Sequence, residues 1–251
     1  MRFLFLTSLC FIIFSAGGDE MPAEQALQNF KAPDGQSIPK PVLSPNGDIS
    51  IGKVLLSRKD KSIHIPAYAN LEEGIIEYAL CLPNGKIHEA LLLTDADPLH
   101  ISVAMKLAGF QAFEKLFPEF SEQDGNFVEK PFPSPQPEDY APACVRIEVT
   151  WKENGKEQRS DLSDILINAK TRQKFPSGGW HYTNSCFFHG RYQASLTGDV
   201  IAIFADRGSL INYIGPNNDG DNESGWIVNP SRHIPTGTPA TLIISPTPSK
   251  P

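Results

Sequence analysis

Gly85-Lys86-Ile87-His88-Glu89-Ala90-Leu91-Leu92-Leu93-Thr94-Asp95-Ala96-Asp97-Pro98-Leu99-His100, running on to Ala108-Gly109, sets the plan of the chain. Pro83-Asn84-Gly85 is a tight-turn signal between two apolar runs, Ile75–Leu82 and Lys86–Leu93. The spacing therefore predicts an antiparallel hairpin. Asp97 then stands where a carboxylate can cap free backbone N–H groups, and Pro98 suits the first helical position. Leu99, Val103, Ala104, Leu107 and Ala108 share one face at helical spacing, and Gly109 is placed to end the helix.

Outward from this unit the chain reads as strand and turn. Ile51–Ser57 and Ser62–Tyr68 predict two strands joined by an exposed Arg58-Lys59-Asp60-Lys61 turn, with His64 on the wetter face of the second. Ala143, Val145, Ile147, Val149 and Trp151 alternate with polar residues. Asn154-Gly155 then predicts a hairpin that sets Lys152 against Glu157 and Glu153 against Lys156. Asp161–Ala169 suggests a short helix. Tyr182–Phe188, Asp199–Ala205, Ser209–Ile214, Gly225–Val228 and Ala240–Ser245 predict strands, and Val200-Ile201-Ala202-Ile203-Phe204 is apolar enough on both faces to be central. Repeated prolines over residues 118–142 predict a long surface excursion, a candidate lid. The expected fold class is α+β: a single domain of mostly antiparallel strands, two-layer or sandwich-like, with one main helix.

Composition bounds the setting. At 251 residues the chain can bury a full core, and 22 prolines with 19 glycines favour turns over long helices. Arg2, the apolar run Phe3–Phe14 and the small residues Ser15-Ala16-Gly17-Gly18 have the form of a cleavable export signal over residues 1–18. That run is too short to anchor stably in a bilayer, which takes roughly 20 residues. Residues 19–48 read as an extended linker, 49–246 as the folded domain and 247–251 as a tail. The net charge of −7 and the lack of a basic run argue against nucleic acid as a partner. The location expected is periplasmic or secreted. Beyond the signal lie Cys81, Cys144 and Cys186, without CxxC spacing, and they read as small buried apolar residues.

Standard catalytic signatures are absent: there is no G-x-S-x-G, P-loop, G-x-G-x-x-G or HExxH. The polar residues best placed for chemistry are Lys86, His88, Glu89 and His100. On a strand, Lys86 and His88 share one face and Glu89 takes the other. His100 lies in the first turn of the helix, whose free N–H groups can hold an anion. An acidic small-molecule or envelope ligand is one expectation. The alternative is a divalent metal on His88 and His100, or a metal-dependent hydrolase that adds Glu89. The stretch around His181 and Cys186, crowded by Trp180, Tyr182, Phe187 and Phe188, reads as an aromatic core strand. The acidic loop 217–223 reads as a solvated turn.

Gly85-Lys86-x-His88-Glu89, then Asp97-Pro98-x-x-Ile101 and a helix ending at Gly109, resemble the YdjY-domain family of exported bacterial proteins. Gly198-Asp199-Val200-Ile201-Ala202 and Ile234-Pro235-x-Gly237-Thr238 extend the resemblance over about residues 50–246. Ala90 stands where that family usually has serine. The resemblance implies export and a coherent domain, and singles out Lys86, His88 and Glu89. It implies no established reaction, so a non-catalytic binding or envelope-associated module is the expected function.

Overall fold

Strand Ile63–Ala69 is where the sheet divides, and the rest of the chain is arranged around it. The computed structural model describes residues 38–117, 120–121, 126–127, 140–188, 190–215 and 225–247, all within one compact unit, Ala32–Pro251. The signal segment, the helical stretch Ala23–Phe30, most of the proline-rich excursion, His189 and the acidic loop lie outside the described residues.

In chain order the first strands are β1 (Val42–Leu43), β2 (Ile49–Ile51), β3 (Val54–Leu56), β4 (Ile63–Ala69), β5 (Ile75–Ile76), β6 (Tyr78–Cys81) and β7 (Ala90–Leu93). The main helix, Pro98–Leu107, follows. Then come β8 (Phe120–Ser121), β9 (Asn126–Phe127), β10 (Val145–Glu153), β11 (Lys156–Asp161), a short helix Leu162–Ile165 and β12 (Leu166–Asn168). The last third holds β13 (Trp180–Tyr182), β14 (Phe187–Phe188), β15 (Arg191–Tyr192), a helix Gln193–Thr197, β16 (Asp199–Ala202), β17 (Ile211–Tyr213), β18 (Trp226–Val228) and β19 (Pro239–Pro246). The fold is β-rich α+β with one principal helix.

One edge of β4 pairs with β19 along Ile63–Tyr68. Its other edge is shared: β3 takes the start at Ile63 and His64, and β7 takes the end at Tyr68 and Ala69. From the fork one arm runs β3-β2-β1 and the other β7-β6-β16-β17-β13. Through β19, β4 also reaches β10 and β11. The long arm comes back on itself: an isolated bridge joins His181 of β13 to Cys144, just before β10. β12, β18 and β5 form a separate small sheet.

Several expectations hold to the residue. Asn154 and Gly155 both have positive φ, as a two-residue hairpin turn of the mirror-image type requires, and Lys152 faces Glu157 while Glu153 faces Lys156. Val145, Ile147, Val149 and Trp151 are buried, and so are Val200, Ile201 and Ala202 on the interior strand β16 and Ile203 just after it. Asp97 caps the main helix by accepting from Leu99 N–H at 2.9 Å. The helix ends as a Schellman turn, with Phe110 N–H donating to Met105 O at 3.0 Å and Gly109 N–H to Lys106 O at 3.1 Å.

Others are corrected. Ile51–Ser57 is not one strand. Gly52 and Lys53 turn β2 into β3, with Gly52 at φ +57. Ile75–Leu82 breaks at Glu77, and its two pieces join different sheets. Only Leu162–Ile165 of the predicted Asp161–Ala169 helix is helical, because Leu166–Asn168 pairs with β18. The largest change concerns the organising unit. β6 and β7 are parallel, Tyr78 opposite Ala90 and Cys81 opposite Leu93, so no hairpin forms at Asn84-Gly85. Gly85 does not have positive φ, and Leu82 N–H donates instead to Gly198 O at 2.7 Å. The chain crosses back through residues 82–89 and packs on the entry to β16.

Candidate functional site in the crossover between two parallel strands

The crossover holds three of the four residues the sequence singles out. Lys86 to Glu89 do not extend as strand: Ile87–Glu89 is a 3-10 turn with Lys86 at its N-cap. Asn70 fixes both sides of this turn, its Nδ2 donating to Ile87 O at 2.6 Å and Ala90 O at 2.7 Å, while Glu77 N–H donates to Glu89 O at 3.0 Å. Gly85 lies directly on Gly198. A Cβ on Gly85 would stand 2.7 Å from Gly198 O, and one on Gly198 would stand 2.5 Å from Gly85 N. Backbone meets backbone there, so neither position has room for a side chain.

The turn brings His88 and Glu89 together, which alternation along a strand would forbid. His88 Nε2 lies 2.8 Å from Glu89 Oε1. The His88 side chain is 73% exposed and that of Glu89 27%. The second carboxylate oxygen, Glu89 Oε2, is buried without a hydrogen-bond partner. Such an orphan acceptor costs about 1–3 kcal/mol and calls for an explanation.

Lys86 points the other way, towards β6 and β16. Its Nζ donates to the Tyr78 hydroxyl at 2.6 Å and lies 4.7 Å from the ring centroid. The ammonium is much closer to the hydroxyl than to the ring, so the hydrogen bond dominates over any cation–π contact. Tyr78 is buried, its ring edge-on to Phe204 at 5.4 Å. Asp199 opens β16 beneath the crossover. Its Oδ1 accepts from Lys86 N–H at 3.4 Å and from the Cys81 thiol at 3.7 Å. Burial raises the Asp199 carboxyl above its usual range; the Lys86 charge and N–H oppose the shift, and Asp206 adds to it. Burial, with Asp206 and Asp199 nearby, pushes the Tyr78 phenol up. Burial and Asp199 push the Cys81 thiol up, which makes it a poor nucleophile.

His100 lies elsewhere. The whole of β7 separates it from His88, and its ring covers Gly52, where a Cβ would stand 2.5 Å from His100 Nδ1. Leu99 N–H, at the start of the main helix, is already taken by the Asp97 carboxylate, which also accepts from Ser195 Oγ at 2.6 Å. The expectation of one site shared by the helix start, His88 and His100 is therefore not met. Among the described residues no three His, Cys, Asp or Glu side chains converge as a metal site. The tools of the site that the sequence did not reveal are Tyr78, Cys81 and Asp199. One signal was present: an aspartate opening the apolar run Val200–Phe204 is an anomaly for a buried strand.

Cys81, Cys144 and Cys186 are free thiols, and Cys81 is buried. The aromatic stretch is core only in its first half: Trp180 and Tyr182 are buried, Trp180 stacks on Phe175 at 5.0 Å, and Tyr213 and Trp226 complete the cluster, whereas Phe187 and Phe188 form an exposed strand. No helix among the described residues is long and apolar enough to cross a membrane. The chain matches no family model, no curated protein and no solved structure.

Proposed function

We propose that this protein is a binding module exported to the periplasm or beyond the cell, of the YdjY-like kind that its motifs resemble. In this reading the crossover 82–89 takes a small acidic ligand. The carrying observation is the state of Lys86. Its ammonium is held by the Tyr78 phenol, a neutral acceptor, at 2.6 Å, which leaves further N–H donors for a ligand carboxylate or phosphate. Binding is favoured over catalysis at the crossover because burial and Asp199 raise the pKa of the thiol near it, Cys81, and blunt it as a nucleophile. The two-layer character of the fold belongs to the same reading. The long arm curling back to the Cys144–His181 bridge supports two facing sheet walls.

The test is a thermal-shift and calorimetric screen of simple dicarboxylates and inorganic phosphate at neutral pH. A ligand that stabilises the wild type should lose its effect with Lys86→Ala and keep it with His100→Ala. An effect unchanged in Lys86→Ala would place the ligand elsewhere.

A further inference from the structure

The long arm of the sheet closes at one isolated bridge, between Cys144 and His181. Elsewhere β10 is joined to β19 by a ladder running from Val145 to Trp151. The closing contact is thus the narrowest join in the ring, and a buried imidazole sits in it. His181 is 3% exposed. Its Nδ1 lies 2.9 Å from Gly179 O, and since a carbonyl only accepts, Nδ1 carries the proton and Nε2 holds the bare lone pair. The Tyr140 ring stands edge-on over the imidazole at 4.8 Å.

We infer that the Cys144–His181 contact is an acid-released latch: protonation of His181 Nε2 from solvent parts β13 from the start of β10. Among the described residues, the Tyr140 ring packs on the imidazole from the segment before β10, Cys144 bridges to His181 through the backbone with its thiol donating to Gly178 O at 3.2 Å, and Asn212 stands opposite on β17. Asn212 is committed to Thr183 Oγ1 at 2.6 Å and to Asp206 N–H at 2.8 Å. The Asp206 carboxylate is in turn bound by Gly208 N–H and Ser209 Oγ. Among the described residues no carboxylate pairs with the His181 imidazole. Burial accordingly lowers the His181 pKa, opposed only by the Gly179 bond. With the latch open the ring meets water and takes its proton near the ordinary value of about 6.5. The open form therefore binds more protons than the closed form, and falling pH favours it from about 6.5 downward. Opening frees the backbone edge of β13 at the seam.

Hydrogen–deuterium exchange on the full chain at pD 7.5 and 5.0, corrected for intrinsic rates, tests the latch. Peptides covering 143–148 and 180–184 should lose at least tenfold in protection at pD 5.0, while β4 and β19 keep theirs. His181→Asn can still donate to Gly179 O but cannot take the proton, so its seam should stay protected at both values. Equal loss in wild type and His181→Asn, or no loss in either, overturns the latch. If His181→Asn fails to melt cooperatively, the wild type alone decides by NMR. A seam-opening midpoint that coincides with the His181 ring titration supports the latch, and a mismatch overturns it.

Discussion

Asp199 is a carboxylate kept where burial disfavours its charge, and Glu148 is one kept where two guanidiniums favour it. The pair shows how single residues carry both cost and stability. Asp199 is held above its usual range, so its cost is fully present above that raised value and vanishes below the ordinary one, about 3.9. Asp199→Asn, which still offers Oδ1 to the Lys86 N–H, should raise the melting temperature at pH 8 and match the wild type near pH 3.5. A destabilised variant at pH 8 would mean that the charge itself holds the crossover in place. Glu148 runs the other way. Arg159 binds it through two contacts, at 2.9 and 2.7 Å, and Arg146 adds one at 3.0 Å, so its pKa is lowered. That contribution is present above about 4.3 and is lost as pH falls through the lowered value. Arg159→Ala should cost about 1 kcal/mol at pH 7, a modest figure because the guanidinium is 57% exposed and Arg146 remains. Urea melts at pH 7 and pH 3 should show the difference shrinking in acid. The sequence hints at only one of these environments: Asp199 opens an apolar run, whereas Glu148 sits in an ordinary alternating strand, and what surrounds each comes from residues elsewhere along the chain.

At the scale of elements, two Asn-Gly dipeptides have opposite fates. Asn154-Gly155 makes the hairpin its sequence announces, because both residues adopt positive φ between strands that have only each other to pair with there. Asn84-Gly85 does not, because β7 pairs with β6 in parallel, and Gly85 serves close backbone approach to Gly198 instead of turn geometry. Local signals therefore name a glycine position correctly and leave its purpose to tertiary pairing. The main helix was legible down to its caps, because capping depends on neighbours in sequence. Its buried face was drawn too narrowly: Ile101, Ser102 and Met105 are buried as well, and Leu107 only half so. Covered on more than one side, such a helix has no single stripe to read. Leu92 is fully buried in β7 and Val103 nearly so on the helix. Leu92→Ala should cost about 2–5 kcal/mol in denaturant melts, and Val103→Ala somewhat less. A loss of only a few tenths at both would misplace the strand–helix core. Gly198→Ala should also destabilise measurably, since a methyl at positive φ would press on the Gly85 backbone.

The whole molecule depends on a strand near its far end. β19 lies between β4 and β10 and, among the described residues, is the one ladder joining the N-terminal strands to the β10–β11 hairpin. A chain stopped at residue 238 should therefore show no cooperative melt, and one that melts like the full chain would contradict this pairing. Export, a proposal resting on the N-terminal segment, should leave a mature N-terminus near Gly18 or Asp19 by mass spectrometry; Met1 retained in the exported fraction would reject it. The position of β19 also sets a timetable. Residues 63–68 are made early and must wait for residues 239–244 before their sheet is complete, so this pairing is non-local and raises the contact order. Until residues 239–244 emerge, that edge of β4 is a bare backbone template, open to any other strand able to pair with it.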